Sequence, residues 1–128
     1  MSSSSIDQVA QSFVQYYYSA YSQNRPSLAA LYQDSSMLTF EGQQIQGASG
    51  IIEKLTSLPA TPSTPAIDTL DAQPAYPTNS GAILIFITGR MQLEAGGQAI
   101  RFSQTWQLVP TSTGSYFIHN DIFRLNYG

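Results

Sequence analysis

Few side chains in this sequence could serve as an acid, a base or a metal ligand. The only histidine is His119, and there is no cysteine, which excludes disulfides, cysteine nucleophiles and multi-histidine or thiolate zinc sites. Acid–base catalysis would have to pair the histidine, Asp68 or Asp71 with a tyrosine donor. The tyrosines available for that role are Tyr17, Tyr21 and Tyr32. No spacing forces these groups together, and no nucleophile-elbow or phosphate-loop motif is present, so we expect no catalytic residue, metal or cofactor.

The charge pattern narrows the possible partners further. The 128 residues carry a net charge of −3, and only 10% are charged, against about 25% in ordinary globular domains. Because no basic run occurs, direct binding to nucleic acid is not expected. The longest apolar run, residues 82–87, is too short for a membrane helix. The start, MSSSSIDQVAQ, lacks the features of a secretory signal, so cytosol or nucleus is expected.

Hydrophobic periodicity predicts the elements that must position these side chains. A capping box at Ser5 and Gln8 precedes apolar residues at helical spacing. Alternating apolar and polar residues, bounded by Gly and Pro turns, predict strands in the second half. The predicted helices cover residues 6–22, 26–32 and 48–58. The predicted hairpin covers 37–41 and 44–46, and four longer strands cover 66–74, 82–94, 99–109 and 116–126.

This order of elements indicates an α+β fold in a single domain, residues 1–128. Helices and one hairpin come first and four long antiparallel strands follow, unlike the strict alternation of an α/β protein. We expect a cone: a curved antiparallel sheet with N-terminal helices packed on one face and a pocket at its wide end. Some residues on the other face are apolar, so a second subunit is expected to cover them.

Several separated segments resemble the nuclear transport factor 2 family, in the same order. They lie between Phe13 and Tyr127 and comprise LTFEGQQ at 38–44, QG at 46–47, EKL at 53–55, SLP at 57–59, DAQP at 71–74, RFSQ at 101–104 and NDIFRLNY at 120–127. The resemblance implies a cystatin-like roll and a homodimeric carrier rather than an enzyme. It also implies import of the GDP-bound form of the small GTPase Ran, weak binding to Phe-Gly repeat nucleoporins, and a location in cytoplasm and nucleus, enriched at the nuclear pore.

The resemblance also assigns Ran-binding residues. In the family, an aromatic residue of Ran inserts into the mouth of the cone, and acidic rim residues pair with bases beside it. Glu41 matches the rim glutamate, and Phe40 matches the aromatic residue at the mouth. Leu58 and Phe123 match pocket-lining positions. Glu94 lies near a second acidic cluster, where the family often has two or three acids and this chain has only one.

Two further sets follow from the same resemblance. Phe86, Thr105 and Ile122 match dimer-interface positions on the uncovered face of the sheet. Ile6, at the start of the first helix, stands where the family has an aromatic residue linked to binding of Phe-Gly repeats. Ile6 is apolar but smaller, so this site is matched only in part.

Plainer interpretations and two rival functions stand beside this one. Without the resemblance, Glu41 would be an ordinary surface acid, and Phe40, Leu58 and Phe123 could be core residues. The same cone also hosts isomerases and dehydratases of small hydrophobic substrates, as well as heterodimeric subunits of RNA-export adaptors. Two identical chains favour the carrier. Apolar residues at the mouth with acids on the rim suit a protein partner, whereas buried titratable groups suit catalysis.

Overall fold

The computed structural model describes residues 3–59, 64–77 and 79–126. Helix α1 (Ser3–Gln23) is followed by a 3₁₀ helix (Arg25–Leu31), and α2 (Ala48–Ser57) follows the first hairpin. The strands are β1 (Tyr32–Phe40), β2 (Gln43–Gln46), β3 (Ala66–Pro74), β4 (Ile83–Gln92), β5 (Ala99–Pro110) and β6 (Tyr116–Asn126). The predicted elements are all present, with two differences in where they begin. Helix α1 begins at Ser3, so Ser5 lies within the helix and the predicted capping box is wrong, and β1 begins at Tyr32 rather than at residue 37.

The six strands form one curved, unclosed sheet in the order β2-β1-β6-β5-β4-β3. The four long strands pair antiparallel, as predicted. Strand β1 pairs with β6 in parallel, with Leu38 opposite Asp121 and Phe40 opposite Phe123. The sheet is therefore mixed, which corrects the prediction of a purely antiparallel one. The parallel pair matters for function because it places the end of β1 beside the end of β6.

The bend of the sheet has a visible cause at Gly89 in the middle of β4. The register between β3 and β4 shifts between Ile67 and Thr69, directly beside this glycine. A Cβ atom at position 89 would lie 2.4 Å from the carbonyl oxygen of Ala66 and 3.0 Å from the Phe102 ring. Only glycine allows this close approach, which coincides with the irregularity in the strand pairing.

The core lies between the concave face of the sheet and the helices. Helix α1 contributes one stripe of buried residues, as its periodicity predicts. The ring of Trp106, fully buried at the centre of β5, packs edge-on against Phe13 and tilted against Tyr17, with 5.1 and 5.0 Å between ring centroids. The buried residues of α1 are Ile6, Ala10, Val14, Tyr17, Tyr18 and Tyr21.

The opposite, convex face of the sheet is uncovered. We call the outward side of β4, β5 and β6 the open face. Leu84, Phe86 and Ile122 are exposed there, with Phe86 42% and Ile122 53% accessible. Within the described residues, no helix is both long and apolar enough to span a membrane.

Candidate functional site

An apolar pocket of about 160 Å³ opens where the ends of β1, β4 and β6 meet the end of α2. Three of the residues assigned to Ran binding, Phe40, Leu58 and Phe123, line this one pocket. They lie far apart in the sequence, so their convergence depends on the fold. The remaining lining residues are Tyr21, Pro59, Met91, Leu93 and Leu125.

Two stacked phenylalanines form one wall of this pocket. The rings of Phe40 and Phe123 are parallel, with 4.8 Å between centroids, and Phe123 stacks in turn on Phe102 at 5.5 Å. The Lys54 ammonium lies 5.4 Å from the centroid of the Phe40 ring, within the range of a cation–π contact. Phe40 is therefore held from two sides while remaining partly exposed.

Glu41 stands at the edge of the pocket, and its carboxylate is not free. The residue leaves β1 with a left-handed backbone, φ 51°. Its N–H donates to the Phe123 carbonyl at 3.0 Å, and its Oε1 accepts a hydrogen bond from the Leu125 N–H. If the parallel pairing of β1 and β6 continued, the Leu125 N–H would bond to the main-chain carbonyl of Glu41. Because the backbone turns away at Glu41, its side-chain carboxylate accepts this hydrogen bond instead. A carboxylate has further acceptor sites, so Oε2 can still bind a partner.

Glu94 directly follows a residue of the pocket wall. That residue, Leu93, is 37% exposed, and Glu94 is exposed in the β4–β5 turn. The Glu94 carbonyl accepts a hydrogen bond from Gly97 at 3.1 Å, which closes the turn. Glu41 and Glu94 thus each follow a lining residue of the same apolar pocket, Phe40 and Leu93.

The three predicted interface residues lie in a single row across the open face. Phe86 on β4 is paired with Thr105 on β5, and Thr105 is paired with Ile122 on β6. Cross-strand neighbours on one face are the units that pack together in sheet-to-sheet contact. Two of the three are large, exposed and apolar, which is the geometry expected of a surface covered in an assembly.

Ile6 is buried within the single chain. Its side chain is only 3% exposed and packs in the hydrophobic core, and its assignment to Phe-Gly repeat binding stays a prediction. Accessible apolar surface lies one helical turn further along. Val9 and Phe13 are partly exposed and line a groove with Leu31 and Tyr116.

A buried polar network occupies the centre of the cone. Asp121, 1% exposed, accepts hydrogen bonds from Tyr32 and from Gln104, each at 2.8 Å. The Tyr18 hydroxyl donates to Gln104 Oε1, and the Tyr17 and Tyr32 hydroxyls lie 3.0 Å apart. Of the enzyme candidates, Tyr32 therefore donates to a carboxylate and Tyr17 reaches it only through the Tyr32 hydroxyl, but that carboxylate is Asp121.

The other catalytic candidates lie elsewhere. Asp68 forms a two-bond ion pair with Arg90 on the surface, Asp71 is exposed on β3, and His119 Nδ1 lies 3.3 Å from Gln107. The enclosed space beside Tyr17, Tyr18 and Gln104 measures only about 10 Å³, which is room for about one water molecule. A substrate does not fit in this space.

Burial changes the protonation chemistry of the network. Desolvation raises the pKa of Asp121 to about 6, although the hydrogen bonds from Gln104 and Tyr32 partly offset it. Burial, together with the charge of Asp121, also raises the pKa of Tyr17, Tyr18 and Tyr32 well above 10. These tyrosines are therefore neutral donors at physiological pH, and Asp121 is the group that titrates nearest to neutrality.

We expect Asp121→Asn to remove a pH dependence of stability. Between about pH 4 and 6 the folded state keeps a proton on Asp121 that the unfolded state has released, so the free energy of unfolding falls as pH rises. The shift from 3.8 to about 6 corresponds to about 3 kcal/mol. Urea unfolding at pH 4, 5.5 and 7, at one protein concentration, measures it. Asparagine preserves the shape, and Gln104 can reverse its amide to stay hydrogen-bonded. The exposed control Asp71→Asn should keep the wild-type slope, and an unchanged slope in Asp121→Asn would contradict the assignment.

One signal in the sequence could have led to this network. Gln104 interrupts the otherwise apolar face of β5, and a polar residue at a buried strand position needs a partner. No such signal identifies Arg25, which is buried between two helix ends. The described residues contain no cluster of three or more His, Cys, Asp or Glu side chains that could hold a metal ion.

Comparison with known proteins identifies the family. The model of the nuclear transport factor 2 domain matches residues 9–125. The chain is 49% identical over 127 residues to nuclear transport factor 2B of Arabidopsis thaliana, covering 99% of both chains, and 46% identical over 119 residues to nuclear transport factor 2 of Saccharomyces cerevisiae, covering 93% of both. A solved structure of nuclear transport factor 2 from Cryptosporidium parvum superposes with a TM-score of 0.85 at 38% identity, covering 94% of both chains. With its fold, its pocket and this near full-length similarity to named transport factors, the chain belongs to the nuclear transport factor 2 family.

Proposed function

We propose that this protein is a homodimeric, non-enzymatic carrier that binds the GDP-bound form of Ran and takes it into the nucleus, crossing the pore through weak contacts with Phe-Gly nucleoporin repeats. The observation that carries the proposal is the apolar pocket of Phe40, Leu58 and Phe123, with the Glu41 carboxylate bonded to its lining residue Leu125. Glu94 directly follows another lining residue, Leu93. The similarity to named nuclear transport factors over nearly the whole chain supports the general role in nuclear transport.

The pocket suits an inserted side chain better than a free small molecule. Its volume of about 160 Å³ is well below the ~300 Å³ at which ligand pockets usually begin, and its walls are almost entirely apolar. A single aromatic anchor in such a pocket is commonly worth 2 kcal/mol or more. The carboxylate of Glu41 lies at the edge, where a base beside the anchor can pair with Oε2.

Nucleoporin binding is the part of the proposal with the least local support. A Phe-Gly repeat needs apolar surface, and Ile6 offers almost none within one chain. The partly exposed Val9 and Phe13 nearby provide apolar surface on the same helix. A weak contact of this kind fits a carrier that must release the pore quickly.

The rival functions meet specific obstacles. An isomerase needs a titratable group facing a substrate cavity, whereas the buried Asp121 is enclosed by Tyr32 and Gln104 beside a space of only about 10 Å³. An RNA-export adaptor subunit would pair its open face with a different chain. The row of Phe86, Thr105 and Ile122 is also compatible with a second copy of this chain, which is the partner we propose.

The decisive test is a calorimetric titration of the purified protein with GDP-loaded and GTP-loaded Ran. We expect binding to the GDP-loaded form, and affinity at least tenfold lower for the GTP-loaded form. The affinity should fall as salt rises from about 50 to 300 mM, because charges at the pocket edge are partly exposed and become screened. Equal affinity for the two nucleotide forms, or no binding to either, would refute the proposed function.

A further inference from the structure

Arg25 is a buried cation with an unusual set of partners. Its side chain is 9% exposed. Among the described residues, the only salt bridge joins Arg90 and Asp68, so Arg25 is not paired with a carboxylate. Instead of a carboxylate, Arg25 contacts main-chain carbonyl oxygens and one aromatic ring. A buried charge lowers the stability of the folded state unless such partners compensate for the lost hydration. The burial of Arg25 therefore calls for an explanation.

The guanidinium joins the ends of two helices. Its Nε donates to the Tyr21 carbonyl in the last turn of α1 at 3.1 Å. Its Nη1 lies within hydrogen-bond distance of the carbonyls of Leu55, Leu58 and Pro59, at 3.0, 3.1 and 3.3 Å. Carbonyls at helix C-termini lack intrahelical partners and carry partial negative charge, so a cation is stabilised there. The same guanidinium lies 3.9 Å from the centroid of the Tyr21 ring.

Three of these partners are walls of the candidate pocket. Tyr21, Leu58 and Pro59 all line the 160 Å³ opening, and Arg25 itself is not among the lining residues. The arginine therefore lies behind the wall and contacts it from the protein side. Leu58 has already left α2 with an extended backbone, ψ 150°, and its remaining bond to the helix is one long hydrogen bond of 3.4 Å from its N–H to the Leu55 carbonyl.

We propose that Arg25 is a positioning residue of the partner-binding pocket. It ties the segment after α2 to the end of α1, and it thereby holds Leu58 and Pro59 in the place where they face Phe40 and Phe123. The inference rests on the proposed function of this pocket, and it adds the residue that keeps the pocket open before a partner arrives. Preformed walls favour binding because little conformational entropy is then lost when the partner binds. The arginine needs no contact with the partner for this role.

Lysine cannot replace this arrangement. An ammonium is a single point of charge, whereas the guanidinium fork reaches the end of α1 and the end of α2 at once. Arg25→Lys keeps the charge, and Arg25→Gln keeps a donor without the charge. The exposed Arg101 on β5 supplies the matched control, Arg101→Lys.

The first measurement needs no partner. Methyl NMR spectra of the folded variants compare the pocket residues Leu58 and Met91 with the core residues Ile85 and Ile118. We expect the Leu58 signals of both Arg25 variants to shift and broaden while the two core isoleucines stay in place. Unchanged Leu58 signals, or equal shifts throughout the core, would overturn the positioning role in favour of general stabilisation.

The second measurement uses GDP-loaded Ran at a temperature where every variant is fully folded. We expect Arg25→Lys to lower the affinity at least tenfold, and Arg101→Lys to match the wild type. Displaced Leu58 signals combined with wild-type affinity would overturn the role in binding. If the wild type itself does not bind GDP-loaded Ran, the proposed function fails, and the NMR comparison still decides whether Arg25 holds the pocket wall.

Discussion

Glu41→Lys is expected to abolish binding of GDP-loaded Ran. The substitution removes the carboxylate at the pocket edge and puts a cation where the partner is proposed to bring a base, so attraction becomes repulsion. Losing one member of a partly buried charged pair costs about 2–5 kcal/mol, and added repulsion makes the loss at least a hundredfold in affinity. Isothermal titration calorimetry measures it.

Because the Glu41 carboxylate also accepts the Leu125 N–H, the lysine variant alone does not separate charge from structure. Glu41→Gln does, since its amide oxygen can keep that hydrogen bond while the charge is lost. We expect glutamine to weaken binding by about tenfold, near the low end of the cost of losing a charged partner. Glu94→Gln should have a smaller effect, because that acid is exposed in a turn.

The matched control is Asp34→Lys, an exposed acid near the opposite end of β1 from Phe40. It makes the same change in net charge far from the pocket and should bind like the wild type. If Glu41→Lys bound GDP-loaded Ran as tightly as Asp34→Lys does, the assignment of this pocket edge would be wrong. An unfolded Glu41→Lys variant beside a folded Glu41→Gln variant would instead show that the contact with Leu125 is mainly structural.

Ile122→Glu is expected to turn a dimer into folded monomers. Ile122 is 53% exposed in the single chain and lies in one row with Thr105 and Phe86 at the centre of the open face. In a symmetric dimer the substitution acts twice and brings two like charges into apolar surroundings. An uncompensated buried charge costs several kcal/mol, so the dissociation constant of the dimer should rise about a thousandfold or more.

Sedimentation velocity at micromolar concentration reads the mass directly. Thr113→Glu, in the exposed β5–β6 turn, adds the same charge away from the open face and should remain dimeric. Circular dichroism checks that each variant is folded. A monomeric wild type, or an Ile122→Glu variant that still sediments as a tight dimer, would remove the open face as the interface.

Local periodicity was enough to predict most of the fold. The apolar stripe of α1 and the alternation along β5 depend only on residues within a few positions of each other, so they can be predicted without tertiary information. The pairing of β1 with β6 was predicted less well, because its direction depends on how two distant segments meet.

The candidate pocket was predicted through matched residues rather than through periodicity. Phe40, Leu58 and Phe123 were assigned by resemblance, and the structure places all three around one opening. Ile6 was assigned in the same way, and its side chain is buried within the single chain. A matched position carries a family's residue role, but it does not determine how exposed a smaller side chain will be.

What the sequence by itself determined is the set of elements, their order and the faces they bury, because these follow from backbone geometry and local hydrophobic spacing. Only the tertiary structure decided which polar groups meet. The Glu41 carboxylate bonds to an N–H 84 residues away, Tyr32 reaches Asp121 across 89 residues, and Arg25 spans 30 residues to the Leu55 carbonyl. Such contacts depend on distances between atoms after packing. Burial then gives them their strength, because water no longer competes for each donor and acceptor.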